Sequence, residues 1–261
     1  MIKKAGTVYG LLIGLLSIFG AFLFEGGTVE ALFLIAPIVV VFGGTFAATI
    51  IGFGFDKFND VWRLIRLAYF PRKYDLEKLI DNIVKMSVKS RREGLLSLDK
   101  DLKNIDYLFP KKLISYAIDG TDAESLENLA LLEMKAMKER HDSNISIFTK
   151  MGGYAPTMGI LGTVMALIIT LANAGSEPSI LIRNISSAFI ATMWGVFSAN
   201  LFWFPIADRL RKCHLEEKNM MEISLEGVLA LQSGEIPSIV RARLSSMLPQ
   251  SSQKGVLIAL S

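Results

Sequence analysis

The chain has 261 residues, 51% of them hydrophobic, with 28 Lys and Arg against 25 Asp and Glu, a net charge of +3 and one cysteine. Four stretches of 20 to 26 residues contain no Asp, Glu, Lys or Arg, and about 20 apolar residues suffice to cross a bilayer core as a helix. A water-soluble globule is therefore excluded, the small net charge disfavours nucleic acid as a partner, and one cysteine rules out an intramolecular disulfide or a Cys/His structural metal site.

The charge-free stretches predict an all-α integral membrane protein with four transmembrane helices. They are Ala5–Phe24, Ala31–Phe55, Met151–Ser176 and Asn184–Ala207. Their continuous apolar character disfavours a β-barrel, whose strands alternate apolar and polar residues. The first stretch has no obvious cleavage site before Glu25 and three more follow it, so we expect it to stay in the protein rather than act as a signal peptide.

The predicted organisation places spans one and two in residues 1–55, a cytoplasmic helical domain in 56–150, spans three and four in 151–207, and a cytoplasmic helix and tail in 208–261. Basic residues decide the orientation. Residues 56–150 carry 18 Lys and Arg, and residues 208–261 carry 7. The short connections between spans one and two and between spans three and four carry only Arg183. Basic residues near span ends mark the cytoplasmic side, so both termini and the large loop are expected in the cytoplasm.

The large loop is predicted to be mostly helical. Apolar residues recur at helical spacing with charged residues between them from Phe58 to Tyr69, which indicates an amphipathic helix at the membrane interface, ended by Pro71. A second helix is predicted over Leu76–Ser90, with an apolar face of Leu79, Ile80, Ile83, Val84 and Met86.

Two long helices are expected to extend from the membrane into the cytoplasmic domain. Thr121 and Glu124 have the spacing of a capping box, which opens a helix that runs unbroken into span three. Span four is expected to continue to about Leu231, because Gly and Pro are absent between Leu210 and Glu226. The tail from Pro249 to Ser261 is predicted to be loose.

Small residues recur at helical spacing in all four spans, and such residues let membrane helices approach closely. They include Gly6, Gly10 and Gly14; Gly43, Gly44 and Gly52; Gly159, Gly162 and Ala166; and Ala188, Ala191 and Gly195. Tight packing inside one bundle explains any single glycine as well as a contact with a partner does. Thr163 and Thr192 sit beside small residues near span centres, which suits a face turned to a cavity or a partner rather than to lipid.

Ionisable residues are absent from all four charge-free stretches, since His141 and His214 also lie outside them. Intramembrane ionisable groups are the usual carriers in proton relays. Any proton or cation carried through an assembly of this chain therefore needs a carboxylate from another chain. The chain also has no Walker loop, GxSxG or HExxH motif, so we expect neither an enzyme nor a bound cofactor.

Three segments resemble the MotA family of flagellar stator proteins. They are Tyr154–Val164 (YAPTMGILGTV), Ala188–Gly195 (AFIATMWG) followed by Asn200 and Phe204–Ala207 (FPIA), and Ser90–Asp99 (SRREGLLSLD). The span motifs alone would also admit the related ExbB and TolQ energisers, but these have three spans and a different loop order. The resemblance covers residues 1 to 235.

The resemblance implies a torque-generating stator subunit of the bacterial inner membrane. Members of the family form a ring of five around two copies of MotB, a single-span, peptidoglycan-anchored protein whose membrane aspartate takes up and releases the ion. The ring drives the rotor through FliG. By this resemblance Arg91 and Asp99 match the charged pair that contacts the rotor, and Asp99 stands where some relatives have Glu. Pro156 and Pro205 match prolines near the cytoplasmic span ends, with a hinge or gate role.

The same resemblance places Thr163 and Thr192 on the ion path, where Thr163 is Ala in some proton-driven relatives. Sodium-type relatives commonly have two adjacent threonines on span four, whereas this chain has Ala191 and Thr192. We therefore expect H⁺ as the transported ion. Na⁺ stays the alternative, with Thr163 and carbonyls freed near Pro156 as added ligands.

Simpler interpretations stand beside each of these assignments. The two prolines are also explained as kinks repaired by neighbouring helices, and the charged pair as part of a solvated helix face. The rival function is a passive membrane scaffold or a secretion-system subunit without ion coupling, and an energiser or scaffold subunit of the ExbB/TolQ type is a further alternative.

Overall fold

The computed structural model describes residues 2–173, 175 and 177–248, and within these ranges it is all helical, which confirms the fold class. The elements in chain order are α1 (Ile2–Phe24), α2 (Val29–Leu32), α3 (Ile35–Ile38), a π-helical segment (Val39–Gly43), α4 (Gly44–Phe53), α5 (Phe55–Asn59), α6 (Val61–Tyr69), α7 (Leu76–Glu93), a 3₁₀ helix (Leu95–Asn104), α8 (Leu108–Ile118), α9 (Ala123–Ala172), α10 (Pro178–Ser198), a second π-helical segment (Ala199–Trp203), α11 (Phe204–Gln232) and α12 (Pro237–Ser246). The predicted loose tail, Pro249–Ser261, lies outside the described residues.

Among the described residues, three helical segments are long and apolar enough to cross a membrane. They are Val29–Phe53, Ala123–Ala172 and Pro178–Gln232, and the apolar helix Val8–Phe24 is shorter. The expectation of four spans therefore rests, for the first span, on the charge-free stretch of the sequence. The expected continuation of spans three and four is confirmed, because α9 has 50 residues and the last segment has 55.

The described chain divides into two compact units. The first comprises residues 2–71 and 141–212, and the second comprises residues 72–140 and 213–248. The first unit has a core of buried apolar residues that includes Phe148, Met151, Trp203 and Ile206, and α6 packs Val61, Leu64 and Ala68 into it. This burial on one side of a nine-residue helix follows from its strong segregation of apolar and charged residues.

The interfacial segment differs from its prediction in two ways. It forms two helices, α5 and α6, rather than one, because the helical pattern is interrupted at Asp60. Trp62, expected on the same apolar face as Val61, is 79% exposed, whereas Val61 is 6% exposed. Adjacent residues of a helix lie about 100° apart, so the buried face of α6 takes Val61 and leaves Trp62 outside.

The second unit has its own core, built from α7, α8, the 3₁₀ helix, α12 and the parts of α9 and α11 within it. The predicted helix over Leu76–Ser90 is confirmed and extends to Glu93, and Leu79, Ile80, Ile83 and Met86 are buried as expected while Val84 is partly buried.

The capping prediction at Thr121 is wrong. Helix α9 begins at Ala123, and the side chain of Asp122 caps it by accepting a hydrogen bond from the Ser125 backbone N–H at 2.9 Å. The Thr121 carbonyl instead accepts a hydrogen bond from the Gln232 side chain at 2.7 Å. Asp and Thr are both good N-cap residues, so their order in the sequence left the helix start ambiguous by one position.

Candidate functional site

Thr163 on α9 and Thr192 on α10 lie in direct contact. Their hydroxyl oxygens are 2.5 Å apart, within the range of an O–H···O hydrogen bond, and either group can donate. The Thr163 hydroxyl also lies 2.9 Å from the Ala188 carbonyl oxygen and 3.1 Å from the Gly159 carbonyl oxygen. Because a hydroxyl has one hydrogen and two lone pairs, Thr163 can donate to a carbonyl while it accepts from Thr192, or donate to Thr192 instead.

A glycine crossing of α9 and α10 brings the two threonines together. A Cβ added to Gly195 would lie 2.7 Å from the Ala155 carbonyl oxygen, and one added to Gly159 would lie 2.9 Å from the Ala191 carbonyl oxygen. Both atoms belong to the backbone and cannot rotate away. A Cβ on Gly162 would meet the Ala191 side chain at 2.8 Å. These glycines therefore pack within one chain, whereas Gly6 has open space beside it.

Pro156 lies at this same crossing, inside α9. Its Cα is 3.2 Å from the position of a Cβ on Gly195. Proline has no N–H to donate, so the carbonyl of Gly152, four residues earlier, loses its usual helical partner. Helix α9 nevertheless continues from Ala123 to Ala172. Pro156 therefore lies where α9 crosses α10, and it does not break the helix there.

Pro205 lies elsewhere in the first unit, directly after the π-helical segment Ala199–Trp203. The Phe204 N–H bonds to the Ala199 carbonyl, which is a five-residue step, and Pro205 then supplies no donor. Pro205 lines a shallow pocket with Ala68, Tyr69, Ile206 and Arg209. The four proposed ion-path residues are therefore brought together only in part: Pro156 and the threonines share one crossing, and Pro205 lines this pocket.

Trp194 is a site residue that sequence reasoning passed over, although it stands in the span-four motif. Its indole N–H donates to the Leu32 carbonyl at 2.7 Å, and this hydrogen bond ties α10 to the chain before α3. Phe19, Phe42 and Phe197 pack their rings around it at centroid distances of 5.3 to 6.2 Å. A tryptophan in the middle of a charge-free span was the available signal, because its N–H requires an acceptor there.

Arg91 and Asp99 lie in the second unit and are both exposed. Their spacing of eight residues, about two helical turns, predicts that they share roughly one face if the segment is helical, and this prediction is wrong. Helix α7 ends at Glu93, Gly94 turns the chain with φ of 80°, and Asp99 belongs to the following 3₁₀ helix. Among the residues that the structure describes, neither makes a salt bridge, so both charges are available to a partner.

The turn between these two residues is held by a salt bridge on one side. Lys89 of α7 and Asp101 of the 3₁₀ helix are 2.7 Å apart, and their hydrogen bond raises the pKa of Lys89. Leu98 is fully buried beneath the turn, while Leu96 at its tip is 76% exposed. The turn therefore exposes the apolar side chain of Leu96 between the charged residues Arg91 and Asp99, and the Lys89–Asp101 salt bridge and the buried Leu98 stabilise it.

The chemistry open to the threonine pair is hydrogen bonding. The threonine pair has donors and acceptors but no titratable group among them. Within residues 2–173, 175 and 177–248, no three His, Cys, Asp or Glu side chains come together as a metal site. The two hydroxyl groups can donate a hydrogen bond to a carboxyl group from outside the chain or accept one from it.

Two family matches cover most of the chain. Residues 8–94 match the motility protein A N-terminal family, and residues 98–223 match the MotA/TolQ/ExbB proton channel family. The chain is 32% identical over 244 residues to motility protein A of Bacillus subtilis, covering 93% of this chain and 90% of that protein. It is 30% identical over 243 residues to motility protein A of Treponema pallidum, covering 93% of each.

A solved structure has the same fold. The structure of the flagellar MotAB stator complex from Bacillus subtilis matches with a TM-score of 0.89 and 31% identity, covering 96% of this chain and 98% of that chain.

Proposed function

The chain belongs to the motility protein A family, and we infer from this membership that it is a flagellar motor stator subunit. It is a membrane protein of a family of stator and channel subunits, and we propose that it has no enzymatic activity of its own. The same membership favours the bacterial inner membrane, and the basic span ends favour a cytoplasmic position for both termini. A scaffold or energiser without a rotor is not favoured.

We propose MotB as the membrane partner, by analogy with the matched MotAB complex. The spans of this chain contain no carboxylate, so the ion-carrying group has to come from the partner, as the aspartate of a single-span, peptidoglycan-anchored helix. We further propose that five copies of the chain surround a MotB dimer and that the assembly sits in membrane lipid. Counting subunits by native mass spectrometry of the purified complex tests this number.

The contact of Thr163 with Thr192 is the observation that carries the proposed mechanism. When the partner's aspartate is protonated, its O–H can donate to Thr192, which donates to Thr163, which donates to the Ala188 carbonyl at 2.9 Å. When the aspartate is ionised, Thr192 donates to the carboxylate and Thr163 donates to Thr192. Reversing two hydroxyl hydrogens thus serves both states without moving a helix.

Protons are the proposed ion, with sodium as the alternative. Sodium needs several oxygen ligands around one point. The carbonyl that Pro156 frees is that of Gly152, eleven residues from Thr163, which is about 16 Å along a continuous helix. That carbonyl is too far away to join the Thr163 and Thr192 hydroxyls in a sodium site, so the nearby carbonyl oxygens are those of Ala188 and Gly159, which keep sodium as the alternative. A proton needs only the partner's carboxylate and the hydroxyl pair.

Pro156 and Pro205 are proposed as the points where the ion cycle bends the helices. Pro156 lacks a helical donor beside the Gly195 crossing, and Pro205 follows a π-helical turn. Helices bend where the hydrogen-bond ladder is interrupted. Arg91 and Asp99 are proposed as the contact with the rotor protein FliG, because both are exposed and without an internal salt bridge among the described residues.

Deleting the gene and expressing variants of it in the deletion strain tests this function. Loss of swimming with flagella still present is expected for a stator subunit, whereas a scaffold or energiser without a rotor would leave swimming intact. Thr192→Ala should reduce swimming speed while the complex still assembles, and Thr192→Ser, which keeps the hydroxyl, should retain most of it. Equal loss in both variants would contradict a hydroxyl role.

The ion is tested on the same strain. Swimming speed at fixed pH should not change with external sodium and should fall when a protonophore is added. Speed that rises steeply with sodium and survives the protonophore would replace the proton with sodium.

A further inference from the structure

The shallow pocket beside Pro205 contains one cation without an acidic partner. Arg209 lines this shallow, open depression with Ala68, Tyr69, Pro205 and Ile206. The Arg209 Nε–H donates to the Ala68 carbonyl at 3.3 Å, which fixes the plane of the guanidinium. No Asp or Glu of the described residues pairs with it. The rest of the pocket is apolar apart from the Tyr69 hydroxyl.

The free donors of Arg209 suit a phosphate group. A guanidinium has five N–H donors, and the bond to Ala68 uses one, so both terminal nitrogens keep their hydrogens for a ligand. These donors form a planar fork that matches two oxygens of a phosphate. Arg209 therefore has four donors that no described protein group accepts from, and an external phosphate could accept from two of them.

The exposed residues of α6 near the pocket are of the types found at a membrane interface. The side of α6 turned away from the core carries Trp62, Arg63 and Arg66, and Phe70 follows at its end. Trp62 is 79% exposed and Phe70 is 74% exposed, which is unusual for aromatic residues facing water. Exposed aromatic and basic residues on one helix face are typical of helices that lie among lipid headgroups.

The local charge favours an anionic lipid over a neutral one. Residues 55–71, 141–150 and 208–212 contain seven Lys and Arg against four Asp and Glu. Two of these basic residues have acidic partners within one helical turn, Arg63 with Asp60 and Arg211 with Asp208. Arg209 comes two residues after the charge-free stretch that ends at Ala207, so it stands at the level where headgroups begin.

We propose that the pocket of Ala68, Tyr69, Pro205, Ile206 and Arg209 binds the phosphate of an anionic phospholipid, with Trp62 and Phe70 of α6 among the adjoining lipids. This site is separate from the threonine pair and from the rotor contact. It places a lipid headgroup against Pro205, directly after the π-helical turn. The proposed orientation puts it at the cytoplasmic leaflet, where anionic lipids add attraction for basic residues.

Native mass spectrometry of the purified complex with its membrane partner tests the proposal. Phosphatidylglycerol and phosphatidylcholine with the same acyl chains are titrated separately, and Arg209→Gln is compared with Arg211→Gln. Arg211 is the matched control, because it stands one turn away from Asp208 on the same helix and already has an acidic partner at 3.0 Å. Size-exclusion chromatography of each variant shows whether the complex is intact.

The wild-type complex should retain phosphatidylglycerol in preference to phosphatidylcholine. Arg209→Gln should weaken phosphatidylglycerol binding about tenfold, as expected for loss of a charge-assisted bidentate contact, and Arg209→Lys should weaken it less. Arg211→Gln should change binding by less than about twofold, because an exposed, paired charge contributes little. Arg209→Gln should weaken phosphatidylcholine binding less than phosphatidylglycerol binding, because the choline ammonium offsets the charge of the phosphate.

Three results would overturn the proposal. Equal retention of the two lipids would exclude charge recognition, and equal effects of Arg209→Gln and Arg211→Gln would indicate general attraction without a site. Displacement of phosphatidylglycerol by millimolar inorganic phosphate would make free phosphate the ligand. Each readout is lipid binding rather than swimming, so the lipid site and the stator function can fail independently.

Discussion

The contact of Gly195 with the backbone of α9 gives the sharpest test of the structure. A Cβ at Gly195 would lie 2.7 Å from the Ala155 carbonyl oxygen and 3.1 Å from the Gly159 Cα. Neither atom can rotate away, so Gly195→Ala has to push the two helices apart. Gly153→Ala is the control, because it adds the same methyl group to α9, where no atom lies within 4 Å.

The size of the effect follows from two opposing terms. Alanine is favoured over glycine inside a helix by up to about 1 kcal/mol, and overpacking of a tight contact costs roughly 1–3 kcal/mol. Gly195→Ala should therefore destabilise by about 1–2 kcal/mol, whereas Gly153→Ala should be neutral or slightly stabilising. A change of 1 kcal/mol moves the unfolding midpoint of a protein of this size by about 2–4 °C.

Thermal unfolding of the purified complex, followed by tryptophan fluorescence, measures the difference. The midpoint should fall by about 2–8 °C for Gly195→Ala and should not fall for Gly153→Ala. The double variant Gly159→Ala with Gly195→Ala should lose less than the sum of the two, because both methyl groups enter the same gap. Equal midpoints for Gly195→Ala and the wild type, or a fall for Gly153→Ala of the same size, would refute the close crossing.

The remaining predictions concern the rotor contact, the start of α9 and the topology. Charge reversal at Arg91 should lower torque while membrane assembly persists, and a matching reversal on the rotor should restore part of it; wild-type torque after reversing both Arg91 and Asp99 would remove them from the contact. Asp122→Ala should lower the unfolding temperature by a few degrees more than Asp122→Asn does, since Asn also caps helices. The hydrogen bond from the Ser125 N–H lowers the pKa of the Asp122 carboxyl group. The stabilisation by this cap is therefore present above the ordinary carboxyl pKa and is lost as the pH falls through the lowered pKa of Asp122. Thermal unfolding at acid pH measures this loss. A cysteine placed at Gly26 should react with a membrane-impermeant reagent in intact cells and one at Ser125 should not; labelling at Ser125 would reverse the orientation.

Local sequence patterns predicted most of the helices. Of the four charge-free stretches, three lie largely in helices that are long and apolar enough to cross a membrane, and the apolar periodicity of Leu76–Ser90 predicted α7 together with its buried face. These predictions succeeded because hydrophobicity and helical period act between residues a few positions apart. The sequence also predicted that this helix runs unbroken into span three, with Pro156 as a kink or a hinge, and the structure shows α9 continuing past Pro156 to Ala172.

Local patterns failed where one residue decides the direction of the chain. The spacing of Arg91 and Asp99 fitted one helix face, but Gly94 adopts φ of 80° and ends α7 between them. Glycine takes this conformation at no steric cost, yet it also occurs inside helices, so the sequence does not say which happens. Asp122 replaced Thr121 as the cap of α9 for a similar reason, because both residue types favour that position.

The sequence by itself determined that this protein is a helical membrane protein without an ion-carrying group in its spans, and its motifs determined the family. Only the tertiary structure decided that Thr163 meets Thr192, that Gly195 lies against the Ala155 carbonyl, and that Arg209 lines a pocket and donates to the Ala68 carbonyl. Each of these contacts joins residues of different helices, 29 to 141 positions apart in the chain. Hydropathy and periodicity carry no information on such distances, because the helix crossing sets them through the sizes of all the residues that pack there.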